Sequence, residues 1–177
     1  ASAACIVVFW LLPVIGEAPA DDPIAVRLVQ TNISLDQPWE QAAKDELMEE
    51  LAALSTREDA KPELVVWPET PAPFYLSEDV EFRERMQGIA RKLGAYFVLG
   101  HIDTIGQNPS NSAAAINPQG DIISGYDKMH LVPFGEYVPL KSFLFWAESL
   151  TRQVGDFTPG TEYTLTPIGN HRIATAI

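Results

Sequence analysis

Apolar and polar positions change period several times along the chain, and each change marks an element. Ile24 to Asn32 alternates apolar and polar residues and is rich in β-branched side chains, which predicts a strand ending in a polar tip. The period then lengthens. Leu47, Leu51 and Leu54 fall on one face at helical spacing, while Lys44, Asp45, Glu46, Glu49 and Glu50 make a solvated face. Pro38 near the first turn and Asp36 as a cap set the start of this helix. Leu64-Val65-Val66-Trp67 is wholly apolar, as in a strand buried on both faces, and it runs into Pro68-Glu69-Thr70-Pro71. Ser77 precedes a second helix with Glu78, Asp79 and Glu81 in its first turn, where acids suit the helix dipole. Phe82, Met86, Ile89 and Leu93 form its apolar face and Gly94 ends it. Ala95 to Ile102 predicts another buried strand, and Gly106 to Asn111 a turn-rich loop. Ser112 to Asn117 and Asp121 to Tyr126 predict a hairpin about Pro118-Gln119-Gly120. Tyr163 to Thr166 and His171 to Ile177 predict two further strands.

Strands alternating with helices, then a hairpin and more strands, imply an α/β protein with helices packed on a mixed sheet. The segment before the first strand departs from this pattern. Ala3 to Ile15 is an apolar run broken by Pro13, and Gly16 to Pro23 is an acidic linker by composition. The run is shorter than the ~20 residues of a full span and lacks the basic start of a signal peptide. A buried element, a damaged signal sequence and the tail of a membrane helix all fit, and the last is favoured. Residues 1–16 are therefore expected to end a transmembrane helix, 17–23 to form a linker, and 24–177 to form one domain. The acidic flank suits the non-cytoplasmic side. The final strand stops at its apolar peak with no turn after it, which predicts a truncated domain.

Composition narrows the chemistry. The 177 residues are enough for one domain with its own core, and 46% of them are hydrophobic, as in ordinary globular proteins. A formal net charge of -12, without a basic patch, argues against nucleic acid as a partner. Cys5 is the one cysteine, so no internal disulfide is possible. His101, His130 and His171 are scattered, no Cys/His cluster has zinc spacing, and neither a metal nor a cofactor is expected.

Two stretches concentrate reactive side chains. Tyr126 to Pro139 holds a lysine, a histidine, two acids, two prolines and a glycine in a short span. It reads as a strand end carrying Lys128, followed by a shaped loop, the kind of segment in which binding and catalytic groups gather. Its charges would equally serve as a solvated surface. Glu69 stands at the carboxyl end of a buried strand between two prolines, where α/β proteins place ligand-binding groups. The alternative is an acid that merely caps the next turn.

These stretches carry a resemblance. Trp67-Pro68-Glu69 looks like the first catalytic motif of the carbon-nitrogen hydrolase (nitrilase) superfamily, while the run Tyr126 to Pro139 and Gly155-Asp156-Phe157-Thr158-Pro159-Gly160 look like the forms of its acyltransferase branch, in the matching order and on matching elements. Within it, the chain resembles the apolipoprotein N-acyltransferases of bacterial membranes, from about Ile24 to the end. The resemblance implies a four-layer αββα sandwich and a Glu-Lys-Cys triad. Glu69 would be the base that generates a thiolate. Lys128 would stabilise the oxyanion of the tetrahedral intermediate. Glu136 would orient Lys128 or tune its charge, or would instead hold the Pro-Phe-Gly turn. The family's cysteine sits just after the strand that here ends at Ile177, and Cys5 matches no motif, so the fragment is expected to be inactive alone.

The reaction so implied moves an acyl chain from a phospholipid to cysteine, and then to the α-amine of a diacylglyceryl-apolipoprotein. It places the domain on the periplasmic side of the inner membrane. A soluble amidase of the same superfamily and a non-catalytic binding domain are the alternatives. Phe143, Leu144, Phe145 and Trp146 cannot all face one core from a helix, so the stripe is either an extended segment packed in the core or an exposed arm that meets lipid.

Overall fold

The computed structural model describes residues 23–33, 40–71, 74–139 and 156–177. Five strands form the main sheet: β1 (Val26–Leu28), β2 (Leu64–Val66), β3 (Tyr96–Ile105), β4 (Asn108–Ile116) and β5 (Ile122–Asp127), side by side in that order. Helix α1 (Gln41–Ser55) connects β1 to β2, and α2 (Val80–Leu93) connects β2 to β3. Strands β1, β2 and β3 are parallel, β4 turns back against β3, and β5 turns back against β4. Strand β5 therefore runs with β1–β3. The carboxyl ends of these strands and the beginning of β4 share one edge of the sheet.

Alternation along the strands decides which face is covered by helices. Val65 and Trp67, Phe97 and Leu99, and Ala114 and Ile116 are buried in one cluster with Leu47, Met48 and Leu51 of α1 and Phe82, Met86 and Ala90 of α2. Both helices thus pack on the same face, as successive right-handed crossovers in one direction require. Phe74 and Phe82 stack with ring centroids 4.5 Å apart, which seals the start of α2 against the segment before it.

The opposite face carries a second sheet, β6 (Leu165–Ile168) paired antiparallel with β7 (His171–Ala174). Thr166 and Ile168 are buried while Leu165 is exposed, so β6 lays one side on the main sheet. The hydroxyls of Ser124 and Thr166 meet at 2.6 Å, and Thr164 Oγ1 donates to the Gly125 carbonyl at 2.9 Å. A helix layer, a mixed sheet and a second sheet are thus three of the four layers of the expected αββα sandwich. Gly160 lies at the carboxyl edge, where its N–H donates to the Lys128 carbonyl at 3.0 Å. Ile168 to His171 lie near Glu63, Gly94 and Tyr96 at the amino edge. Strand β7 consequently runs back toward the edge that holds the carboxyl ends of β2 and β5.

Several element limits differ from the pattern reading. Asn108 to Asn111 belong to β4 rather than to a loop, because a tight turn at Gly106-Gln107, with Gly106 at φ 68°, lets β3 and β4 pair all the way to Ile105 and Asn108. Asp79, not Ser77, caps α2, accepting from the Phe82 N–H at 2.9 Å. Glu40 occupies the N-cap of α1 without a side-chain cap bond, and Asp36 lies outside the described residues. The expected membrane-helix tail at 1–16, nearly all of the linker at 17–23, and Phe143 to Trp146 also lie outside the described residues. Among the described residues no helix is long and apolar enough to cross a membrane.

Candidate active site

Trp67 fixes the turn that carries Glu69. Its indole is buried on the helix side, and Nε1 donates to Ser55 Oγ of α1 at 2.8 Å. The chain after Trp67 then crosses over β3 at Gly100. A Cβ on Gly100 would stand 2.5 Å from the Thr70 nitrogen and 2.8 Å from the Pro68 carbonyl oxygen. The crossing thus needs a residue without a side chain. Thr70 itself sits at φ 35°, a conformation that costs a β-branched residue energy and that marks a position held by its surroundings.

Lys128 follows the last residue of β5, and its N–H still pairs with the Asn111 carbonyl of β4 at 2.8 Å. Counting by twos along paired strands puts Asn111, Lys128 and the crossing at Gly100 on the face away from the helices. Lys128 is 9% exposed at its side chain, Glu136 is 14%, and Glu69 is 52%. Nζ of Lys128 donates to Oε1 of Glu69 at 3.0 Å and to Oε1 of Glu136 at 3.1 Å. The three residues singled out in the sequence, Glu69, Lys128 and Glu136, therefore meet at one point.

Glu136 does both things open to it. Its Oε1 pairs with Lys128, and its Oε2 accepts the Val132 N–H at 2.7 Å, which closes the turn around Phe134. Burial by itself would raise the Glu136 pKa. The hydrogen bonds from Asn111 and the Val132 N–H, with the hydrogen bond and charge of Lys128, outweigh that and hold it below the usual value. Burial likewise works to lower the Lys128 pKa, but the hydrogen bonds and charges of Glu69 and Glu136 raise it. Lys128 is thus kept as a cation at neutral pH.

The segment after residue 155 clamps this arrangement from outside. Phe157 N–H donates to the Glu136 carbonyl at 3.0 Å and Thr158 N–H to the Pro109 carbonyl at 2.8 Å. A Cβ on Gly160 would run into the Asp127 carbonyl, so glycine is what lets this segment press against the end of β5. On the helix side of the same strands, a polar row supports the edge. Ser112 Oγ donates to Asp127 Oδ1 at 2.6 Å, and Ser110 lies 2.8 Å from Ser112. Burial pushes the pKa of neighbouring His101 down, against the opposing influences of the Ile102 carbonyl, Asp103 and Asp127.

Pattern reading missed Asn111 and Thr70. Nδ2 of Asn111 donates to Oε1 of Glu69 at 2.8 Å and to Oε1 of Glu136 at 2.9 Å, and Thr70 Oγ1 donates to Asn111 Oδ1 at 3.0 Å. The available signal was the polar run Ser110-Asn111-Ser112 leading directly into Ala113-Ala114-Ala115-Ile116, which fits one continuous strand. The residues that follow Lys128 and Glu136 in the chain help to line a cavity of about 410 Å³, bounded by Met129, His130, Leu131, Tyr137, Phe157 and Pro159. No group of three or more His, Cys, Asp or Glu among the described residues is placed to hold a metal ion.

Comparison with known proteins identifies the family and relatives of this chain. The profile of the family described as carbon-nitrogen hydrolase matches residues 25–177. The chain is 36% identical over 157 residues to an apolipoprotein N-acyltransferase of Geobacter metallireducens, covering 85% of this chain and 30% of that protein. It is 33% identical over 168 residues to one of Brucella suis, covering 86% and 31%, and 34% identical over 146 residues to one of Methylococcus capsulatus, covering 80% and 28%. The chain thus spans about a third of the length of these curated relatives. An amidase from Nesterenkonia sp. shares its fold, with a TM-score of 0.55 at 19% identity over 85% of this chain and 54% of the amidase.

Proposed function

Since the chain belongs to the carbon-nitrogen hydrolase family, we propose that it is the part of an apolipoprotein N-acyltransferase that supplies the base and the cation for acyl transfer. The observation that carries this reading is Lys128 Nζ, held between Oε1 of Glu69 and Oε1 of Glu136 at the carboxyl edge of the sheet. A buried, permanently charged ammonium at a fixed point can stabilise an oxyanion without reorganising as charge develops. Glu69 is half exposed beside it and acts as the base toward a cysteine thiol. Glu136 keeps the lysine in place. Strand β7 runs toward this edge, so a thiol supplied just past its end arrives beside both groups.

In this reading the thiol takes an acyl chain from a phospholipid as a thioester, and the α-amine of a diacylglyceryl-apolipoprotein then receives it. The cavity lined by Met129, Leu131, Tyr137, Phe157 and Pro159, with His130 also on its wall, is offered as the place for an apolar chain. The same proposal puts the intact protein in the bacterial inner membrane with residues 24–177 on the periplasmic side, and takes residues 1–16 as the end of a membrane helix and 17–23 as a linker. The described residues, without a thiol, do not complete the reaction alone.

The test uses the full-length protein with phospholipid vesicles and a diacylglyceryl lipopeptide. Mass spectrometry should detect an acyl chain on the lipopeptide amine, and Glu69→Gln and Lys128→Met should abolish it. Hydrolysis of a simple amide with no transfer to the lipopeptide would overturn the acyltransferase reading in favour of an amidase.

A further inference from the structure

Four atoms close a ring at the site. Lys128 Nζ, Glu69 Oε1, Asn111 Nδ2 and Glu136 Oε1 follow one another at 3.0, 2.8, 2.9 and 3.1 Å. Two carboxylates with one ammonium leave one negative charge in excess, and both carboxylates draw on the same Lys128 nitrogen. The Asn111 amide supplies the second donor that both oxygens need. Its orientation is not arbitrary. Ionised carboxylates only accept, so the nitrogen must face them, and the oxygen is left for the Thr70 hydroxyl, which occupies it at 3.0 Å.

We propose that Asn111 is a positioning residue for the reaction and that Thr70 orients it. Among the described residues, both hydrogen bonds to Glu69 fall on Oε1. This pins one oxygen and presents Oε2 as the basic atom. When a cysteine thiol enters, its S–H bond breaks, the proton moves to Oε2 of Glu69, and the thiolate electrons remain on sulfur for attack on the acyl carbonyl. Without Asn111, Glu69 can rotate about its terminal torsion, and the two carboxylates compete for Lys128. The unusual backbone of Thr70 acquires a reason here, since it aims Oγ1 at the amide. This inference rests on Glu69 serving as the base.

The experiment compares Asn111→Asp, Asn111→Leu, Thr70→Val and Thr70→Ser in the full-length protein, using whichever acyl acceptor the wild type uses. Loss of the amide donor should lower kcat by about 10- to 100-fold, the size expected for a hydrogen bond to an ionised group, with KM little changed. The acidic limb of the pH profile should move to higher pH, most in Asn111→Asp, where a third carboxylate faces Glu69, Glu136 and Lys128. Thr70→Val should show the same shift more weakly, and Thr70→Ser should restore wild-type behaviour. If Asn111→Leu fails to fold, the Thr70 pair and the isosteric aspartate still decide. A uniform loss of active protein at every pH, with the acidic limb unmoved, would overturn the proposal and leave Asn111 a structural residue. A wild type that hydrolyses amides but transfers nothing would overturn the acyltransferase reading without touching this inference.

Discussion

Glu69 and Lys128 stand 59 residues apart in the chain and 3.0 Å apart in space. The sheet brings them together. Glu69 leaves the carboxyl end of β2, Lys128 leaves that of β5, and the double reversal through β4 returns β5 to the same edge. Glu136 reaches the same ammonium from the loop beyond, through a backbone turn fixed by its own second oxygen.

Replacing Lys128 by Met should abolish transfer by at least about 100-fold, the cost typical of removing one oxyanion donor. The change should also raise the Glu136 pKa, because the lysine is one of the groups holding it down. A ¹³C titration of the glutamate carboxyls in wild type and variant checks this. An unmoved Glu136 would mean that the ion pair does not operate in solution.

The pH dependence of stability should show both partners. The Glu136 pKa is lowered by folding, so its contribution is present above its unfolded value near ~4.3 and is lost as pH falls through the lower folded value. The Lys128 pKa is raised, so its contribution is present below its unfolded value near ~10.4 and is lost as pH rises through the higher folded value. The pair therefore contributes a level term across the neutral range that fails at both extremes. Denaturant midpoints measured against pH should lose the alkaline decline in Lys128→Met.

Gly100→Ala should cost about 1–3 kcal/mol in unfolding free energy, the usual penalty for forced overpacking. The methyl group would meet backbone atoms of Pro68 and Thr70, which cannot swing aside as a flexible side chain would. Activity should fall by more than stability does, because the displaced turn carries Glu69. Urea unfolding alongside kcat measurement separates the two effects.

Trp67→Phe should destabilise the domain by about 1–3 kcal/mol without a change in the pH profile. It keeps the ring volume in part but leaves the buried Ser55 hydroxyl, which receives the indole N–H at 2.8 Å, without that donor. Thermal unfolding measures the loss. An unshifted profile would show that Trp67 anchors the turn from behind and takes no part in proton transfer.

How much was legible in the chain follows from the range over which each feature is decided. Leu64 to Trp67 announces a buried strand, and the spacing of Phe82, Met86 and Leu93 announces an amphipathic helix, because strand and helix periods are written in adjacent residues. Glu69, Lys128 and Glu136 were visible as acids and a base at strand ends and in a proline-rich loop, and their motifs pointed to one family. Asn111 was not visible as a functional residue. A single amide in a polar run has no local signature, and its role depends on β3 pairing to its last residue and on β5 returning beside β4. Thr70 was hidden for the same reason, since its strained backbone comes from crossing β3 at Gly100, a contact across 30 residues of sequence. Local periodicity determined the elements, and the candidate chemistry was written in residue types. The closed ring of Lys128, Glu69, Asn111 and Glu136 was decided only by the tertiary structure, because hydrogen bonds between side chains from β4 and from the ends of β2 and β5 exist only once the sheet has set the strands side by side.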